Sequence, residues 1–104
     1  MTIDQRPLRS LYFAGINAAC LVRFPALLDL WLPGGFRQGS EYVVRNPRRA
    51  DRRPGSFRIN LQTGRWADFA TGDKGGDAVS LYAYLHGLSQ GNAARELAEQ
   101  WGCA

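Results

Sequence analysis

Seven arginines fall between residues 45 and 65: Arg45, Arg48, Arg49, Arg52, Arg53, Arg58 and Arg65, against one acid, Asp51. Guanidinium groups fork phosphate oxygens in pairs and stack on bases. A cluster this dense therefore reads as an anion-binding patch whose affinity falls steeply with salt. The competing reading is a solvated loop in which the arginines serve solubility. Twelve of the thirteen basic residues are Arg, which a GC-rich coding sequence would also produce. Against that, seven like charges repel one another without a partner. Tyr42, Phe57, Trp66 and Phe69 lie on or beside the same stretch, and single-stranded bases stack on exposed aromatic rings. Most of the four read as core, Phe57 above all. Trp66 is the stacking candidate among them.

Downstream, Gly72-Asp73-Lys74-Gly75-Gly76-Asp77 precedes an apolar segment. Glycines before a helix can bare backbone N–H groups to a phosphate, with Lys74 as an added cation. No Lys-Ser or Lys-Thr pair follows the glycines, so this is not a Walker A loop. The alternative is a tight turn ending in an Asp cap, and Asp77 would then repel an anion. Catalytic chemistry has little to stand on. His86 is the sole histidine, and no Ser/His/Asp set has suggestive spacing. Asp68, Asp73 and Asp77 fall on a strand end, a loop and a cap, a poor arrangement for magnesium. Two cysteines and one histidine cannot make up the four soft ligands of a structural zinc site. No metal, no cofactor and no enzymatic activity is expected. A Cys20–Cys103 disulfide is not expected in a reducing compartment, and Cys20, on an apolar helical stripe, reads as core.

The elements that would position these groups follow from periodicity. Ile16, Ala19, Cys20, Phe24, Leu27, Leu28 and Trp31 recur at helical spacing, with Gly15 or Asn17 as a start and Pro25 as a kink or break. Residues 1–10 read as a flexible arm. Pro33-Gly34-Gly35 ends the helical segment. Glu41–Arg45 and Ser56–Leu61 read as strands, the second alternating cleanly, and Gln62-Thr63-Gly64 as the hairpin turn into a return strand, Arg65–Phe69. Asp77 caps a helix closed by Gly87, and Ser89 caps a last helix through Trp101. The expected class is α+β: an antiparallel sheet of about three strands, covered by an N-terminal helical segment and two C-terminal helices.

The whole chain, 1–104, is expected to be one domain large enough to bury its own core. Its charge is uneven. Residues 37–65 carry a net +6, whereas residues 66–104 carry a net −3. That is a basic block on a slightly acidic scaffold. The apolar runs are interrupted every few residues by Arg, Asp or Pro, so no membrane span is expected. The N-terminus lacks the pattern of a signal peptide, and a cytoplasmic location is expected.

Pro54-Gly55-Ser56-Phe57, then Gly64, Trp66 and Phe69, then GDKGGDAVSL (residues 72–81) carry a resemblance. From about Ile16 to Trp101 the chain resembles the N-terminal zinc-binding (zinc-ribbon) domain of bacterial and phage DNA primases. In that family a helix precedes a ribbon opening with Cys-Pro and a His. A Pro-Ser-Phe strand follows, then an aromatic strand ending in Cys-x-x-Cys, then Gly-Gly-Asp or Gly-Gly-Asn opening a helix. Here the Cys-Pro corresponds to Asn46-Pro47, the His position falls near Arg49, and the Cys-x-x-Cys pair corresponds to Asp68 and Thr71. One extra residue stands before Ser56 and another in the GDKGG loop. All four ligand positions are non-ligands, so the chain is similar to zinc-less versions of the domain in primases of phages and mobile elements. The resemblance implies a non-catalytic module that recognises single-stranded DNA template in replication and priming. Arg45, Arg48, Arg49, Arg52, Arg53, Arg58, Arg65, Trp66 and Lys74 are its expected contacts. The alternative is a protein-interaction module docking a primase catalytic domain or a helicase.

Overall fold

The computed structural model describes residues 5–50 and 52–101, with side chains from Tyr12 to Gln100. Four helices and five strands follow one another along this part of the chain: α1 (Gln5–Val22), α2 (Phe24–Trp31), β1 (Phe36–Gln38), β2 (Glu41–Val44), β3 (Phe57–Asn60), β4 (Trp66–Asp68), β5 (Lys74–Gly75), α3 (Ala78–His86) and α4 (Gln90–Trp101). The class is α+β, as expected. The sheet is larger than expected: a five-stranded antiparallel meander in the order β1-β2-β3-β4-β5.

The two extra strands are its edges. β1 has all three residues exposed, and β5 is two residues drawn from the glycine-rich loop. Neither has an apolar alternation to announce it. Each exists because a neighbour offers a ladder, β2 for β1 and β4 for β5.

The helical segment also departs from expectation. α1 begins at Gln5, so residues 5–10 form its first turns rather than an arm, and residues 1–4 lie outside the described ones. Gly15 and Asn17 are therefore mid-helix. The break expected at Pro25 is present: α1 ends at Val22, Arg23 is the N-cap of α2, and Pro25 occupies α2's first turn. Its missing N–H costs nothing there. The two axes meet at 87°. No single helix among the described residues is long and apolar enough to cross a membrane.

Strand register sorts the sheet into two faces. Tyr42 pairs with Ile59, Ile59 with Trp66 and Trp66 with Gly75; Val44 pairs with Phe57 and Phe57 with Asp68. These side chains point inward and meet Ile16, Cys20, Phe24 and Leu28 from the N-terminal helices and Val79, Leu81 and Leu97 from α3 and α4. Gly75 has to be glycine. A Cβ there would overlap the indole of Trp66 and the hydroxyl of Ser80. The Tyr42 hydroxyl donates to Leu32 O at 2.7 Å and accepts from Gly35 N–H at 3.2 Å, tying the end of α2 to β2. Burial pushes that phenol's pKa up.

Candidate nucleic-acid interface

The second face of the sheet carries the row Phe36, Val43, Arg58, Ala67, Lys74, one residue from each strand in paired register. Because β4 alternates Trp66 in, Ala67 out, Asp68 in, the next residue, Phe69, turns outward. It is 73% exposed. Around it opens a shallow groove of about 760 Å3, bordered by Glu41, Arg58, Arg65, Phe69, Lys74 and Gly76. Three cations, one acid and a bare aromatic ring thus share one side of the molecule.

Two of the expected contact residues are committed elsewhere. Trp66 is not a surface platform. It is 5% exposed, lies 4.6 Å centroid to centroid from the Tyr84 ring, meets Phe57 edge-on, and donates its indole N–H to Ser80 Oγ at 2.9 Å. Trp66 lines the groove only as a buried side chain, and Phe69 is the exposed aromatic ring there. The signal was present in the spacing: two aromatics three apart on one strand must face opposite ways. With Phe57 and Ile59 inward and Ile59 opposite Trp66, the tryptophan is the buried one.

Arg49 turns inward as well. Its Nε donates to Asp68 Oδ2 at 2.7 Å and its Nη2 to Asp68 Oδ1 at 3.3 Å and to Ser56 Oγ at 2.8 Å. Asp68 is fully buried. It also accepts from Asn46 Nδ2 at 2.8 Å and from the Ala70 N–H at 2.9 Å. Burial alone would raise its pKa. The donors from Arg49, Asn46 and Ala70 outweigh that and hold the carboxyl down at about 2. Asn46, buried too, spans the cluster: its Nδ2 also reaches Tyr84 Oη at 2.9 Å and its Oδ1 accepts from the Arg48 N–H. Tyr84 in turn donates to Asp73 Oδ2 at 2.8 Å. Thr71 sits on the turn that Asp68 closes, its N–H bonded to Asp68 O.

The remaining arginines are spread over more than one surface. Arg58 and Arg65 border the groove with Lys74, whereas Arg45 borders a smaller cleft beside Trp31, Leu32 and Pro47. Arg48 is exposed, its guanidinium carbon 6.0 Å from the Tyr84 ring centroid and close to Gly87. It thus lies at the negative end of α3. Arg52 and Arg53 are exposed on the β2–β3 connection. The single coherent patch expected of all these arginines is therefore divided between the groove and that connection.

The glycine-rich loop resolves in favour of the capping reading. Asp77 Oδ1 accepts the Ser80 N–H at 2.8 Å and Ser80 Oγ takes the Asp77 N–H, a closed capping box. Asn17 Oδ1, from α1, takes the Val79 N–H at 2.9 Å. The Val79 and Ser80 N–H groups that an anion would need are thus engaged by side chains, and Lys74 belongs to β5 instead. Among the described residues, no three His, Cys, Asp or Glu side chains are grouped as metal ligands would be. Cys20 is buried in the core, and Cys103 lies outside the described residues. Compared with known proteins, no family model and no curated sequence matches the chain.

Proposed function

We propose that this chain is a non-catalytic nucleic-acid-binding module that takes single-stranded DNA across the outer face of its sheet. The observation that carries the reading is Phe69: a large ring, 73% exposed, set among Arg58, Arg65 and Lys74. An exposed apolar ring costs solubility, and cations around it attract phosphates. Together they meet the two requirements of a single strand, a platform for an unstacked base and charge along its backbone. A duplex hides its base faces and would gain only from the charge.

The likeness to zinc-less primase ribbons is supported by where its four ligand positions fall. Asn46, Arg49 and Asp68 meet in one hydrogen-bonded cluster, with Thr71 on the adjoining turn. A buried ion pair with its own hydrogen bonds thus stands between the β2–β3 connection and β4, where the resemblance puts a metal. On this reading the module presents template to a separate catalytic domain in the cytoplasm.

Fluorescence anisotropy with a labelled single-stranded oligonucleotide and its duplex tests the proposal. Phe69→Ala should weaken single-strand binding by about 1–3 kcal/mol, with duplex binding barely changed. Equal losses on both, or none, would count against it. The protein-docking alternative draws on two exposed apolar side chains, Val22 at the end of α1, 85% exposed, and Leu30 near the end of α2, 60% exposed. It gains ground if purified protein binds no bare oligonucleotide but co-migrates with a primase core or helicase.

A further inference from the structure

Arg58 is the one groove cation whose guanidinium is held by the protein itself, and the way it is held limits what it can do. Its Nε donates to Gly55 O at 2.9 Å. Its Nη1 donates to Gln38 Oε1 at 2.9 Å and to Glu41 Oε1 at 3.2 Å. A guanidinium has five N–H donors, one on Nε and two on each Nη. Three are therefore spent, and both nitrogens concerned are saturated. A bidentate phosphate contact needs two adjacent nitrogens, either Nε with Nη2 or Nη1 with Nη2. Each of those edges contains a nitrogen that has nothing left to give. Only Nη2 can donate outward.

None of these bonds uses the flat faces of the group. Hydrogen bonds to a guanidinium lie in its plane. These acceptors come from β1, from β2 and from the residues leading into β3, so the group is anchored across three strands. Phe69 is the diagonal neighbour of Arg58: Arg58 pairs with Ala67, and Phe69 stands two residues beyond Ala67 on the same face. Diagonal neighbours sit roughly 7–8 Å apart, within reach of adjoining bases on an unstacked strand.

We infer that Arg58 is a stacking platform, not a phosphate clamp. Gln38 and Glu41 hold its guanidinium flat so that it takes the face of the base next to the one on Phe69. Arg65 and Lys74, with no acid against them among the described residues, supply the phosphate contacts. The inference rests on the outer face being a single-strand interface. It also gives Glu41 a purpose: an acid in a phosphate-binding groove is a liability unless it orients something.

The test uses the full chain and single-stranded oligonucleotides carrying 2-aminopurine or an abasic position, titrated over a series of salt concentrations. Arg58→Lys keeps the charge and removes the plane. It should lower affinity about 5–20-fold, reduce the change in 2-aminopurine fluorescence on binding, and leave the salt slope unchanged. On a strand abasic at the contacted position, Arg58→Lys should cost nothing further. Arg65→Gln should instead flatten the log–log salt slope by about one unit. If Arg58→Lys binds like the parent while Arg58→Gln flattens the slope by about one, Arg58 is a phosphate contact and the inference is overturned. If the parent chain binds no single strand even at low salt, the interface itself is wrong. These two failures cannot be mistaken for each other. A circular dichroism melt of each variant checks that it is folded.

Discussion

Two arginine–carboxylate pairs stand on this sheet, and they differ in almost everything but their chemistry. Arg49 meets Asp68 at 2.7 Å, with the carboxylate fully buried. Arg58 meets Glu41 at 3.2 Å, with the two side chains 29% and 37% exposed. The two arginines are about equally exposed, 28% and 29%, so the difference lies in the acids: Asp68 is sealed in and also accepts from Asn46 and the Ala70 N–H, while Ser56 takes a further donor of Arg49. In the second pair, Nη2 of Arg58 has no partner among the described residues, and both side chains stay partly exposed. The buried pair holds two segments of chain together, whereas the exposed pair holds one side chain in a pose. A charge count treats them alike. The solvent around each decides which is structural and which is available to a ligand.

The sharpest way to break the comparison is to delete the acid from each pair. Asp68→Ala leaves Arg49 charged and half-enclosed, and strips partners from Asn46 Nδ2 and the Ala70 N–H. Removing one member of a buried pair typically costs about 3–5 kcal/mol. The thermal midpoint should therefore fall steeply, and the segment around Asn46 should lose hydrogen-exchange protection. A fall no larger than that of a surface mutant would place Asp68 outside the load of the fold.

Proton addition is a gentler form of the same cut. The Asp68 carboxyl is depressed to about 2 in the folded protein, below its ordinary value. A group whose folded pKa is lowered lends stability at pH values above its unfolded pKa. That stability is lost as pH falls through the folded value. The chain should therefore lose on the order of 2 kcal/mol between about pH 4 and 2 from this residue alone. Urea titrations across that window should show the loss, and Asp68→Asn should flatten it. An identical acid limb in the Asn variant would assign the effect to other carboxylates.

How much of this was legible in the sequence differs between the two sites. The frame of the outer face was: SFRINL alternates, Gly64 turns the hairpin at φ +80, Asp77 caps α3, and Gly87 closes it in the left-handed region. Alternation also required Trp66 and Phe69 to part company. Which of them went inward depended on a register across β3 that no local pattern carries. The edge strands β1 and β5 were not legible, because their residues form strands only beside β2 and β4. Nor was the extent of α1. Residues 1–10 read as an arm, yet Pro7 stands in the first turn of α1, where a proline breaks no hydrogen bond. The Asp68 cluster was hardest. An aspartate in WADF looks like a solvated strand end until Arg49, nineteen residues earlier, and Asn46 are brought over it. Tertiary contact made that site, and only the correspondence of positions 46, 49 and 68 drew attention to it beforehand.

The smallest expected effect is the most discriminating one. Glu41→Ala removes the exposed pair's acid, and exposed pairs contribute about 0–1 kcal/mol. The melting curve should scarcely move, in contrast to Asp68→Ala. Removing a negative charge from a cationic groove should, on charge alone, tighten the binding of any polyanion and steepen its salt dependence. If Glu41 instead orients Arg58, the variant loses one of two anchors on Nη1 and the guanidinium gains freedom it must surrender when a base arrives. Electrostatic gain and orientational loss then oppose each other for single strands, while duplex DNA, which has no base face to offer, feels only the gain. The expected outcome is tighter duplex binding with single-strand binding level or weaker, so that the preference between them narrows. If Glu41→Ala raised both affinities equally, the second pair would be no more than a weak charge neutralisation, and the contrast with Asp68 would be one of burial alone.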